Sequence, residues 1–217
     1  MFKFPNSLSV QGAGIDILTN VALDNFLRAE VCSRGGTSRI IFALDNLRHD
    51  PIVTCKAFAA LANLISGAHV EILRAEDSPS TTIFIRAMAE HPNNLPIQIN
   101  AAYAMWALSA RDDWFKDEIV RLGGAEAVAG AMSRFVASPE MQAKGFVAIW
   151  SMAVPRHLKT SVGSCGIEPV VNGLSAHIMS EKACEKALGC LKCLSTIPVN
   201  KELLEDHGAV DLIHACK

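Results

Sequence analysis

The chain has 217 residues, of which half are hydrophobic and 19% charged, with a net charge of -2. That content excludes an intrinsically disordered chain, which combines low hydrophobicity with high net charge. With 20 Lys+Arg against 22 Asp+Glu, it also excludes a basic nucleic-acid domain. No apolar run approaches the ~18 residues of a membrane span, so no membrane insertion is expected. The opening MFKFPNSLSV, interrupted by Pro5, lacks the apolar core of a secretory signal. Seven cysteines without a paired framework point to a reducing compartment. A cytoplasmic or nuclear location is the expectation.

Along the chain one helical segment recurs five times. Each copy has an anchor n with companions at n+3, n+4 and n+7. The copies read Gly14, Ile17, Leu18, Val21; Ala57, Ala60, Leu61, Leu64; Ala101, Ala104, Met105, Leu108; Gly145, Ala148, Ile149, Met152; and Ala187, Cys190, Leu191, Leu194. The anchors lie 43, 44, 44 and 42 residues apart. This spacing is one apolar face of a helix.

A glycine column runs between them: Gly36, Gly124, Gly166 and Gly208. The first three stand 21 residues before an anchor. A glycine just past a helix end takes the left-handed conformation without a side-chain penalty. Each is therefore expected to reverse a short first helix into a second. The fifth copy falls near Pro79, where the stretch EDSPST replaces the glycine and Ile83-Phe84 fill the following apolar slots. Pro51, Pro92 and Pro139 punctuate the passage from second to third helix. No window alternates with period two, so strands are not expected.

A period near 43 residues matches repeats of two or three helices. The expected division is a lone third helix in 1–22, full repeats in 23–66, 67–110, 111–154 and 155–196, and two helices without a third in 197–217. Solenoids need polar terminal repeats, and neither end has that character. The expectation is a piece of a longer array, or a partner covering an end.

These residues resemble the armadillo repeat family. KDEIVRLGGAEAVAGAM and NKELLEDHGAVDLIHAC are similar to its first helix, Gly-Ala turn and second helix, and AFAALANLIS to its third. DILTNVA, residues 16–22, resembles the end of a third helix. HEAT repeats are the neighbouring pattern, but they use two helices. The resemblance implies an all-α fold, a right-handed armadillo-type α-α superhelix, with third helices lining its inner side. It implies a non-enzymatic scaffold that binds a protein or peptide segment there. The alternative is a structural subunit of a larger assembly, docked through its ends and outer surface.

Positions n-1, n+2 and n+6 lie opposite the apolar face. They supply the candidate binding residues Asp16, Asn20, Lys56, Asn63, Asn100, Tyr103, Lys144, Ser151 and Lys186. The family resemblance gives the n+6 column to Asn side chains that hold a ligand backbone. Asn20 and Asn63 match, whereas Ala107, Ser151 and Cys193 do not. Nuclear-import adaptors of this type carry Trp at n+2, and this chain has none there. A slip of three residues would bring Trp106 and Trp150 into that column. Otherwise both read as packing between repeats.

Lys56, Lys144 and Lys186 against Asp16 make the face mildly basic, suited to an acidic segment. With helices ~8–10 Å apart, such a face takes an extended segment of roughly 11–13 residues. No phosphate loop or nucleophile elbow is present. The pattern Cys190-x-x-Cys193 lacks a second ligand pair, so neither a metal nor a cofactor is expected.

Overall fold

The computed structural model describes residues 1, 3–65 and 80–215. Among the described residues there are thirteen α-helices and no strand. They form two compact units, Met1–Leu108 and Ser109–Lys217. The first unit holds α1 (Leu8–Val21), α2 (Asn25–Ser33), α3 (Gly36–Leu47), α4 (Pro51–Ile65), α5 (Ser80–Glu90) and α6 (Leu95–Ser109). The second holds α7 (Asp113–Arg121), α8 (Gly124–Arg134), α9 (Pro139–Met152), α10 (Lys159–Ala176), α11 (Glu181–Leu194), α12 (Pro198–Asp206) and α13 (Ala209–Ala215). The stretch expected to form a turn around Pro79 lies outside the described residues.

The third helices are α1, α4, α6, α9 and α11. In the last four, all sixteen positions at n, n+3, n+4 and n+7 are buried. Small residues at n and n+3 let neighbouring helices approach closely. A Cβ on Gly145 would lie 2.4 Å from Met132 Cγ of α8, so that contact requires glycine. Pro51 and Pro139 open α4 and α9 at their first residue, where a missing N–H costs nothing. Asp50, Ser138 and Ser180 cap α4, α9 and α11 by accepting from backbone N–H groups of the first turn.

The glycine column differs from its expected form. The left-handed residues are Gly35 (φ 74°), Gly123 (φ 85°) and Gly208 (φ 70°). Gly36 and Gly124 instead open α3 and α8 as buried residues. Gly36 is needed for space, since a Cβ there would meet Val31 Cγ1 at 2.3 Å. Gly208 therefore corresponds to Gly35 and Gly123, one place from the predicted alignment. Gly166 makes no turn at all. The residue before it is Cys165, for which a left-handed turn would cost about 1–2 kcal/mol. No non-glycine residue takes positive φ among the described residues. The first and second helices of that repeat run together instead as the 18-residue α10, with Gly166 and Pro169 inside it.

A further column was not anticipated. Three residues before each anchor stands a side chain that donates to carbonyls at the end of the preceding helix or turn. Gln11 Nε2 donates to Met1 O and Phe4 O, at 2.8 and 2.9 Å. Thr54 Oγ1 donates to Arg48 O at 3.2 Å. Gln98 Nε2 reaches Met88 O and His91 O at 2.9 and 3.0 Å, and Gln142 Nε2 reaches Met132 O and Phe135 O at 2.9 and 3.2 Å. Cys184 Sγ donates to Ile178 O at 3.2 Å. Gln11, Thr54, Gln98 and Gln142 are buried. A helix leaves its last carbonyls unpaired, and here the next helix satisfies them. His91 and His177 add links of the same kind, from their Nε2 to Arg48 O and Val136 O of earlier helix ends.

Two substitutions in α8 and its turn separate these roles. Gly123→Ala is expected to lower unfolding free energy by about 1–2 kcal/mol through left-handed strain. Gly130→Ala, at an exposed helical position with open space around it, is expected to raise it by about 0.5–1 kcal/mol. Urea unfolding reads both, and equal effects would contradict the assignment.

Candidate functional site

The opposite faces of the third helices carry the predicted binding residues, and the two units treat them differently. In the first unit, Lys56 Nζ of α4 lies 2.6 Å from Asp16 Oδ2 of α1, both side chains being partly exposed. A Cβ on Gly12 of α1 would lie 4.0 Å from that ammonium. Lys56 is thus neutralised by its neighbour, which removes one charge from the expected basic face. Asn100 Nδ2 of α6 donates to Cys55 O at 3.5 Å. Tyr103 and Trp106 stack on α6, with centroids 5.4 Å apart and planes inclined by 28°. Asn20 is exposed and Asn63 half-buried. Ala107, the next member of the Asn20 and Asn63 column, is buried, so the column does not continue as an exposed ladder.

In the second unit, Lys144 of α9 and Lys186 of α11 hold the same n-1 position on adjacent, packed third helices. Burial pushes the Lys144 ammonium below lysine's ordinary value. Glu140 works in the opposite direction, and the like charge of Lys186 adds to the lowering. Ser151 accepts from Ser109 Oγ at 2.9 Å.

Trp150, at n+5 of α9, leans onto α11. A Cβ on Gly189 would stand 2.6 Å from its indole Cζ3, so only glycine leaves room for the ring. Trp150 as a whole is still 39% exposed. It packs between α9 and α11 and stays partly exposed. The predicted face named Lys144 and Lys186, while Trp150 was read as packing. Its exposure depends on a glycine 39 residues away, which spacing alone does not disclose.

The two cysteines of the Cys190-x-x-Cys193 pattern sit in different surroundings on α11. Cys190 is fully buried, and burial drives its thiol far above the usual range. Cys193 Sγ donates to Ala153 O at 3.4 Å. Cys165 is pushed up to about 11, chiefly by burial. Among the described residues no group of three His, Cys, Asp or Glu side chains is placed to hold a metal ion. Among them, too, no helix is long and apolar enough to cross a membrane.

No family model and no curated protein matches the chain by sequence. Solved structures do match it. A designed armadillo repeat protein in complex with the peptide (KR)4 is 17% identical, with a TM-score of 0.80 over 98% of this chain and 88% of that one. A second designed armadillo repeat protein is 18% identical, with a TM-score of 0.81 over 98% and 88%. Computationally designed armadillo repeat proteins for modular peptide recognition are 18% identical, with a TM-score of 0.78 over 97% and 86%. The all-α architecture, the three-helix period and these likenesses together establish that the chain has the armadillo repeat fold.

Proposed function

We propose that this chain is a non-enzymatic scaffold that binds an extended, acidic protein segment on the exposed faces of its third helices. The fold supports the general reading, because designed proteins of the same fold recognise peptides. The acidic preference rests on one observation: Lys144 and Lys186 hold equivalent positions on adjacent helices, and the like charge of Lys186 adds to the burial that lowers the Lys144 value. A carboxylate between them relieves that repulsion. Trp150, on α9 with Lys144 and packed against α11, supplies apolar area for the segment's side chains. Asn63, Asn100, Tyr103 and Ser151 lie on the same helical positions as hydrogen-bonding groups. In the first unit, Asp16, Asn20 and Lys56 contribute less charge to such a contact, since Asp16 and Lys56 satisfy each other.

The test uses a fluorescein-labelled Asp/Glu peptide of about 12 residues, with (Lys-Arg) repeats as the opposite-charge control. Combining Lys144→Glu and Lys186→Glu is expected to weaken the acidic peptide by about tenfold or more at low ionic strength. Unchanged anisotropy titrations would remove the reading. The pH dependence follows from the sign of the shift. Lys144 loses its proton below lysine's ordinary 10.5, so affinity should fall as pH rises through that lowered value. Lys144→Arg, which stays charged, is expected to hold affinity to higher pH; identical profiles would show that Lys144 does not contact the anion.

A further inference from the structure

We propose that the segment bound by the second unit carries an aromatic residue one or two places from an acidic one, the acid held by Lys186 and the aromatic ring by Trp150. This rests on the acidic-segment reading above and adds to it the nature and spacing of a second recognised side chain. Lys186 and Gly189 lie three residues apart on α11. Residues so spaced are neighbours on one face of a helix, about 5–6 Å apart at their Cβ positions. The Trp150 indole of α9 rests at Gly189. A Cβ there would stand 2.6, 2.8 and 3.2 Å from Cζ3, Cη2 and Cε3 of its six-membered ring. A cation-bearing position and an indole are therefore one helical turn apart on the same face of α11.

The packing of successive third helices produces this arrangement. In the first unit Asp16, at n+2 of α1, meets Lys56, at n-1 of α4. In the second, Trp150, at n+5 of α9, meets Gly189, at n+2 of α11. Both contacts follow one offset of three positions. The same offset sets Val147, at n+2 of α9, against Lys186. The place that supplies a carboxylate to Lys56 thus supplies an apolar side chain to Lys186. The ring is equally particular to the second unit, since n+5 of α1 and n+2 of α4 hold Thr19 and Ala59. Glycine at 189 lets the indole settle on α11, yet Trp150 remains 39% exposed. An aromatic that is seated but not covered can take a second ring, offset-stacked or edge to face.

The spacing follows from chain geometry. An extended chain rises about 3.3 Å per residue. Residues one or two places apart therefore stand about 3–7 Å from each other, which spans the interval between positions 186 and 189. At six places the distance is about 20 Å, too far for one chain to meet both groups of α11 at once. The flexible stem of the lysine takes up the remaining difference.

The test uses unlabelled Ser/Gly peptides of about 12 residues, each with one Asp and one Phe placed one, two or six positions apart, and an Asp-only peptide as reference. Titrations at low ionic strength follow the indole N–H resonances of the 15N-tryptophan-labelled chain. At least one of the two near spacings is expected to bind about threefold to tenfold more tightly than the six-place and Asp-only peptides, and to shift the Trp150 resonance. The advantage should vanish in Trp150→Ala, and also in Gly189→Ala, where the added methyl displaces the indole. Circular dichroism confirms the fold of both. A Phe that confers no advantage at either near spacing, or an advantage that persists in both variants, would overturn the proposal. The acidic reading would still stand if the Asp/Glu peptide continued to respond to Lys144→Glu and Lys186→Glu. No response of that peptide would remove both.

Discussion

Every helix that ends inside a stack of helices leaves carbonyl groups that water cannot reach, and this fold depends on answering them. A buried carbonyl without a partner costs about 1–3 kcal/mol. Here the answer comes from the following helix, through Gln11, Thr54, Gln98, Gln142 and Cys184, one per repeat at the same distance before the anchor. Such a bond holds the rotation and height of each third helix against the second helix before it. The small residues at n and n+3 then permit close packing. Once third helices are held in a common register, equivalent positions on their outer faces line up within a unit, as Lys144 and Lys186 do on α9 and α11.

The repeat was legible because it is written in apolar and small residues. The anchors at Ala57, Ala101, Gly145 and Ala187 fall in helices whose n, n+3, n+4 and n+7 positions are all buried, whereas the Gly14 copy in α1 leaves Ile17 exposed and Leu18 and Val21 half-buried. The glycines were harder to read. In the pairs Gly35-Gly36 and Gly123-Gly124 either residue satisfies a turn argument, yet the first is required by its backbone angle and the second by the space around it. At Cys165-Gly166 half of the pair is missing, and the helix runs on through Gly166. The donor column escaped because a single buried glutamine within an apolar helix resembles a surface position in one dimension.

The binding face was legible as positions, less so as chemistry. Counting charges gave Lys56, Lys144 and Lys186 equal weight. The structure sets Lys56 against Asp16, 40 residues earlier, because n-1 of one third helix neighbours n+2 of the helix before it. Between α9 and α11 the neighbouring positions are n+5 and n+2, where Gly189 admits the Trp150 indole. Both outcomes obey one neighbour rule, which becomes readable only after the packing of successive third helices is known.

The donor column is most directly tested by amide hydrogen exchange on Gln142→Ala, beside the wild-type chain. If the glutamine bonds hold the repeat register, the variant should lose about 2–3 kcal/mol of protection, concentrated in the last turn of α8 and the first turns of α9. The first unit should be protected as before. Unchanged exchange at the α8–α9 junction, or a loss spread evenly over all helices, would contradict the account.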